Sequence, residues 1–381
     1  MMKKFYLLVC PALLALSSCS NEANENGILD KTDAISFAAY PTKSRAVGAD
    51  ITSDNMKGDN FGVAGYSNHA IYLNKGTNGV EQKWDATSST WEYANLADLK
   101  FWPENNMDFY AYFPYTDNAS FATSNASGNV MTITGVDCSH DVLFAFAGNQ
   151  SKQTRVPLTF HHAFSKIKTL QIEMPAEGIV YKSGCQVEIS SAEFIYTRTK
   201  GDVNVDKDGA ASYNVAESNL TLKETLASAV TINSTNTSTN IIDYGTSSKG
   251  YFFATSATKV NEVTGTRALM WDGVKANIGE TGKLSTSGLV CLKLTCKVWN
   301  GTSHYYVGSA DKYGEVYIPL KGLDADSNEV STFDAGKRYI YKIVMKDNVG
   351  FTDAGDPILT PILFSVNSVD DWSDVTVTIT L

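Results

Sequence analysis

The sequence predicts an all-β protein built from two antiparallel β-sandwich domains in tandem. Three observations support this fold class. Tyrosine and phenylalanine are abundant, with 19 and 17 residues, and aromatic residues are typical of strands. Apolar and polar residues alternate over short segments that are separated by turn residues, which is the pattern of half-buried strands. Patterns with the 3.6-residue period of a helix are scarce, so antiparallel sandwiches are favoured over a parallel α/β fold.

The first half of the chain contains a regular series of strand-like segments. In order, they are 35–40, 60–66, 70–73, a hairpin at 84–93, the block 101–114, 141–147 and 156–172. The block 101–114 is the densest in aromatic residues, and after a turn at Asn105-Asn106 two sets of side chains alternate along 109–113. This alternation predicts a strand with two distinct faces.

The second half repeats the pattern after Pro175-Ala176-Glu177-Gly178, which is the best candidate for a domain boundary. We therefore predict an N-terminal sandwich at 19–176 and a C-terminal sandwich at 177–381. Segment 228–249 is rich in Ser, Thr and Asn and predicts a long, exposed connection. The chain ends on a faultless alternation in which threonines face one side and four apolar residues face the other, namely Val375, Val377, Ile379 and Leu381.

Residues 1–18 have the features of a bacterial lipoprotein signal. Lys3 and Lys4 precede an apolar run at 5–16, and Leu16-Ser17-Ser18 stands directly before Cys19. The apolar run is shorter than the roughly 20 residues that a membrane-spanning helix needs. We expect a diacylglycerol on the Cys19 thiol, so that Cys19 becomes the lipidated N-terminus after cleavage.

Composition excludes several classes of function. The formal charge is −10, and loss of Lys3 and Lys4 with the signal would make it −12. An acidic chain without a basic patch argues against nucleic-acid binding. Four cysteines outside the signal and lipidation site are too few for a disulfide scaffold. Cys291 and Cys296 lie in one strand at odd separation and point to opposite faces, and Cys296 has the surroundings of a core thiol.

A search for catalytic patterns supports no enzyme and no cofactor. Neither a Gly-x-Ser-x-Gly elbow nor a His-Glu-x-x-His zinc helix is present. Segment 279–285 resembles a phosphate loop but lacks its first glycine and its magnesium-binding hydroxyl. His161 and His162 are neighbours in a strand, so they face opposite ways, and we expect one of them to point inward onto a hydrogen-bond partner.

Two other features have a structural and a binding interpretation. The acidic runs 202–206 and 324–328 lack the glycine and glutamate of a helical calcium loop, which favours hairpin turns over a weak calcium site. Trp84, Trp91 and Trp102 can stack on sugar rings if they are exposed, but tryptophans in strands usually pack against the opposite layer.

Segments along nearly the whole chain resemble the fimbrillin family, the two-domain surface lipoproteins from which gut and oral Gram-negative anaerobes build fimbriae. The matching pieces are the signal with Cys19, Ile35-Ser36-Phe37, Ser44-Arg45-Ala46, 58–63, Trp102-Pro103, 108–114, 141–143, 160–167, 335–341 and Val369-Asp370-Asp371-Trp372. The resemblance implies Greek-key, transthyretin-like sandwiches. It also implies a protein at the cell surface that is anchored in the outer membrane by a lipid, with palmitate, on Cys19.

The resemblance further implies a route of assembly. A trypsin-like, arginine-specific protease cuts after an arginine in the N-terminal segment, here between Arg45 and Ala46. Cleavage removes segment 19–45 with its first strand at 35–40, and the vacated groove accepts a strand from another fimbrial subunit. The donated strand would be the C-terminal one, with Val375, Val377, Ile379 and Leu381 as its inward residues.

Several roles stay open at this point. The chain ends nine residues after Trp372, so the last strand can also close its own sandwich, which suits a tip or anchor subunit better than a stalk subunit. A tip subunit would also contact a host or bacterial surface ligand. The alternative function is a glycan-binding surface lipoprotein of a polysaccharide-capture system, which predicts exposed tryptophans on one face.

Overall fold

The computed structural model describes the greater part of the chain. The described residues are 34–41, 51–173, 186–215, 220–233, 236, 238–245, 247, 249–253, 270–271, 291–300, 304–319, 322–323, 329–330, 333–344, 368–369 and 373–380. Across these ranges the regular structure is strand, apart from short 3-10 helices at Asn55–Gly58 and Leu96–Asp98. The predicted all-β fold is therefore confirmed. Cys19, Arg45, Ala46 and Leu381 lie outside the described residues.

The first sheet contains eight strands. Its order is β1 (Phe37–Pro41), β10 (Val156–His162), β9 (Leu143–Gln150), β6 (Met107–Phe113), β2 (Phe61–Ser67), β4 (Val80–Asp85) and β5 (Thr90–Tyr93), with β3 (Ala70–Leu73) on the second half of β2. All pairs are antiparallel except β1 with β10, which is parallel. The sheet curls, because β1 and β5 at its two ends contact each other.

A four-stranded second sheet covers one face of the first. It contains β14 (Ala211–Val215), β13 (Gly201–Asp206), β8 (Asn129–Val136) and β7 (Ala119–Phe121). The central strand β6 is buried on both sides: Phe109 and Ala111 enter the cluster inside the curled sheet, and Tyr110 and Tyr112 enter the cluster beneath the second sheet. The alternation along 109–113 thus separates two apolar layers.

Two further sheets form a second sandwich. One contains β16 (Ser238–Asp243), β11 (Phe164–Glu173), β24 (Lys337–Val344), β26 (Ser373–Thr380), β25 (Ser368–Val369) and β17 (Tyr251–Phe253). The other contains β15 (Leu220–Ile232), β12 (Gln186–Thr197), β19 (Cys291–Asn300), β21 (Gly314–Pro319), β18 (Met270–Trp271) and β20 (His304–Val307). Phe194 and Tyr341 pack across the layers with ring centroids 5.7 Å apart. A small hairpin joins β22 (Gly322–Leu323) to β23 (Glu329–Val330).

Some strands pair across the predicted boundary between the two sandwiches. Strand β11 precedes the predicted boundary at residue 176 but pairs with β24, near the other end of the chain. Strand β13 follows that boundary but pairs with β8. Besides β1 with β10, the pairs β11–β24 and β24–β26 are parallel. The division at residue 176 stays a prediction.

Two local predictions are wrong. Segment 228–249 is not a single exposed connection, because β15 continues to Ile232 and β16 follows at Ser238–Asp243. Ile241 and Ile242 of β16 are buried. Part of this polar segment therefore packs in a sheet. The acidic run 202–206 is strand β13 rather than a turn, since Val203 and Val205 are fully buried beneath the first sheet.

Predictions for two polar or reactive groups are confirmed. Cys296 is buried and unpaired, and burial raises the pKa of its thiol to about 12. His162 points inward, where its Nδ1 lies 2.6 Å from Oδ2 of the buried Asp141, whereas His161 is exposed.

Candidate functional site

The segment at 34–41, which contains strand β1, lies at an edge of the first sheet and has main-chain contacts on both sides. On one side it runs parallel to β10, with Phe37 opposite Val156 and Pro41 opposite Phe160. On the other side the Ile35 amide donates to the Lys100 carbonyl at 2.9 Å. The segment at 34–41 therefore occupies a groove between β10 and the residues that precede β6.

The side chains of this segment alternate as the sequence predicts. Ile35 and Phe37 are fully buried, and Ala39 packs against the same cluster. The Phe37 ring meets Phe109 edge-on at a centroid distance of 5.4 Å. On the opposite face Tyr40 is 57% exposed. Because alternate residues enter the core, the groove supplies both backbone partners and side-chain pockets to the strand that occupies it.

Covalent attachment of β1 to the rest of the chain runs through 42–50, which lies outside the described residues. Arg45 and Ala46 are in this segment, between the end of β1 and Ile51. A cut between them would leave β1 held by its hydrogen bonds and buried side chains alone. Cys19 precedes the described residues, so its lipidation stays a prediction.

The C-terminal strand is paired within its own chain. Strand β26 runs parallel to β24, from Lys337 opposite Ser373 to Val344 opposite Thr380. The predicted inward residues Val375, Val377 and Ile379 take the register positions opposite Tyr339, Tyr341 and Ile343, which are buried. Strand β25 pairs with the other side of β26 at Val375 and Asp374. A donor role for β26 stays a prediction, and it requires the strand to leave this position.

Trp84, Trp91 and Trp102, the candidates for sugar stacking, pack against other aromatic side chains. Trp91 is buried, and Trp84 meets it edge-on at 5.6 Å between ring centroids. Trp102 packs on Phe109 at 5.8 Å. Within the described part of the chain, the exposed large apolar side chains are Tyr40, Tyr72 and Leu96. A tryptophan platform formed by 84, 91 and 102 is therefore not supported.

Sequence reasoning missed a polar pocket of about 450 Å³ at one end of the first sheet. Its walls include His69, Glu104, Asn106, Asp108 and Asn149. These residues are separated by up to 80 positions, and the only local signals were the Asn105-Asn106 turn and the adjacent Asn68-His69 pair.

Neither a membrane-crossing helix nor a metal cluster occurs in the described part of the chain. No helix there is long and apolar enough to span a bilayer. Likewise, no group of three or more His, Cys, Asp or Glu side chains among the described residues is arranged to hold a metal ion.

A family comparison identifies the chain once its fold is known. The model of the fimbrillin-like family matches residues 44–288, which is more than half of the chain. The protein is therefore a member of the fimbrillin-like family, a family of fimbrial proteins.

Solved structures with similarity to the chain include two proteins from Bacteroides species. A fimbrial protein from Bacteroides vulgatus is 13% identical, with 91% of this chain and 98% of that chain covered and a TM-score of 0.47. A candidate cell adhesion protein from Bacteroides uniformis is 13% identical, with coverage of 91% and 96% and a TM-score of 0.36. Among curated protein sequences, none matches this chain. The family assignment depends on the family model.

Proposed function

We propose that the protein is a structural and adhesive subunit of a cell-surface fimbria that is delivered as an outer-membrane lipoprotein and assembled by strand exchange. The observation that carries this proposal is the placement of β1. It is a short edge strand in which Phe37 is fully buried, as is Ile35 two residues before the strand, and its link to the following strands contains Arg45.

In this proposal the N-terminal segment first delivers the subunit to the outer membrane and is then removed. A lipid on Cys19 tethers the subunit to the outer membrane, and β1 fills the groove until the subunit arrives. Cleavage between Arg45 and Ala46 by an arginine-specific protease then separates the lipid and β1 from the rest of the chain. The released groove exposes main-chain groups of β10 and apolar rings such as Phe61 and Phe109, which are favourable partners for an incoming strand.

The position of β26 bears on the role within the fimbria. A stalk subunit has to donate a strand, and donation of β26 breaks its ladder with β24. A subunit that keeps β26 in place accepts a strand but donates none, which suits an end of the fibre. If Arg45 is not cut, the subunit keeps its lipid and anchors the fibre at the membrane.

The proposal is tested with the lipid-free chain and its Arg45→Lys variant. An arginine-specific protease should cut the wild-type chain after Arg45, as shown by a new N-terminus at Ala46, and electron microscopy should then show polymers. The variant should resist cleavage at this position and stay monomeric, and a separate arginine-containing peptide reports that the protease is active in both samples. A wild-type chain that stays uncut after Arg45 while the peptide is cleaved would contradict the release step.

A further inference from the structure

The polar pocket lies at one end of the first sheet, where two turns meet an irregular part of strand β9. One is the two-residue turn Asn68-His69 between β2 and β3, and both residues have left-handed backbones with φ of 51° and 63°. The second is the turn at Glu104–Asn106 that leads into β6. The third is an irregularity in β9, where Asn149 has a φ of 53° and the register with β6 shifts between Met107 and Phe109.

Left-handed residues other than glycine are uncommon, and they are enriched at binding sites. The Asn68-His69 pair has the geometry of a tight hairpin turn, in which asparagine is favoured. Histidine at the second position is less usual, and here His69 lines the pocket. The register shift beside Asn149 resembles a β-bulge, which changes the direction of side chains near the end of a strand.

Hydrogen bonds hold the walls of the pocket in one arrangement. Asp108 Oδ1 accepts from the Asn149 amide at 2.7 Å, and Asp108 Oδ2 accepts from Asn125 Nδ2 at 2.8 Å. Asn106 Nδ2 donates to Asn149 Oδ1 at 2.9 Å. Asn125 is 4% exposed. Its side chain contacts both Asp108 and His69 and so links two residues of the pocket wall.

This network also fixes the hydrogen-bond role of His69. A carboxylate only accepts, so the side of the Asn125 amide that faces Asp108 is its NH₂ group. The opposite side, the Asn125 oxygen, lies 3.1 Å from His69 Nδ1, and Nδ1–H is therefore the donor. A neutral His69 then presents Nε2 as an acceptor.

The chemistry of the walls argues against three kinds of ligand: an anion, an apolar molecule and a bare metal ion. None of the residues that line the pocket is lysine or arginine, and the carboxylates of Glu104 and Asp108 repel an anion. Apolar surface is scarce, because Tyr66 is the sole aromatic residue in the wall other than His69. A metal ion coordinated directly by the protein is disfavoured too, because both oxygens of Asp108 already accept hydrogen bonds.

A ligand that offers several hydroxyl donors and acceptors at once matches the walls of this pocket. Carboxylates and an imidazole nitrogen accept from hydroxyl groups, and asparagine amides both donate and accept. The volume of about 450 Å³ is within the range of small-ligand pockets. We propose that this pocket binds a neutral sugar residue, through Glu104 and Asn105 at its rim and Asp108 at its base. This deepens the adhesive part of the proposed function and rests on it, but binding itself needs neither cleavage nor assembly.

The test uses the lipid-free, uncleaved chain and a panel of neutral monosaccharides that includes galactose, glucose, mannose and N-acetylglucosamine. Binding is measured by saturation-transfer NMR and calorimetry, with calcium chloride and glucose 6-phosphate as comparison probes. Glu104→Gln and Asn105→Ala change exposed rim residues. Asn118→Ala changes an exposed asparagine beside Thr116 at the other end of β6 and is the matched control.

We expect saturable binding of at least one neutral sugar, with a dissociation constant that rises about five-fold or more in each rim variant and is unchanged in Asn118→Ala. Thermal melts of all three variants should match the wild-type chain. The proposal is overturned if no neutral sugar saturates, if calcium or the phosphorylated sugar binds instead, or if the rim variants bind as the control does. Because the readout is binding to monomers, failure of strand exchange would not affect it.

Discussion

Replacement of Phe37 by alanine tests whether β1 is an integral part of the first sheet. The Phe37 side chain is fully buried and meets Phe61 and Phe109 edge-on, at centroid distances of 6.3 Å and 5.4 Å. Truncation of a fully buried phenylalanine costs about 3–5 kcal/mol, because transfer energy is lost and a cavity is left. We expect the free energy of unfolding to fall by about this amount.

The measurement is guanidinium unfolding of the lipid-free chain, followed by tryptophan fluorescence. Trp91 lies in the same apolar cluster as Phe37, so its emission reports on this region. The matched control is Tyr40→Ala in the same strand, where the side chain is 57% exposed. The control should change the free energy of unfolding by less than about 0.5 kcal/mol. Equal effects of the two substitutions, or a loss below about 1 kcal/mol for Phe37→Ala, would refute this account of the groove.

Two further predictions concern β26 and a buried tyrosine. Deletion of residues 374–381 should abolish polymers of the cleaved chain if β26 is the donor, and electron microscopy that shows unchanged polymers would exclude that role. Burial raises the pKa of Tyr110 to about 12, above the value of about 10 in an unfolded chain. The folded state thus favours the neutral phenol, and the stability that Tyr110 contributes is complete below about pH 10 and is lost as the pH rises toward 12. In Tyr110→Phe the fall in the free energy of unfolding over this pH range should be smaller, and an equal fall in both proteins would contradict the assignment.

Local patterns in the sequence predicted the elements whose burial alternates regularly. The alternation in 35–40 gave the inward and outward faces of β1, and the alternation along 109–113 gave the two faces of β6. In both cases the side chains themselves carry the signal, because successive residues of a strand point to opposite sides.

Pairing between distant strands could not be predicted in the same way. Nothing in 201–206 indicates that it pairs with β8, and nothing in β24 indicates that its neighbours are β11 and β26, in parallel. Register between remote strands depends on how whole faces fit together. The same limit applies to the pocket, since Asn125, Asp108 and Asn149 come from three separate segments of the chain and meet only in the folded protein.

The most direct test of the central claim is whether β1 leaves its groove once the chain is cut after Arg45. Native mass spectrometry of the cleaved, lipid-free chain measures this, with the uncleaved Arg45→Lys variant as reference. We predict that the fragment ending at Arg45 is lost from the cleaved protein as assembly proceeds, and that the hydrogen exchange of β10 amides rises until another strand binds. A fragment that stays bound while polymers form would contradict the claim, because the groove would then still be filled.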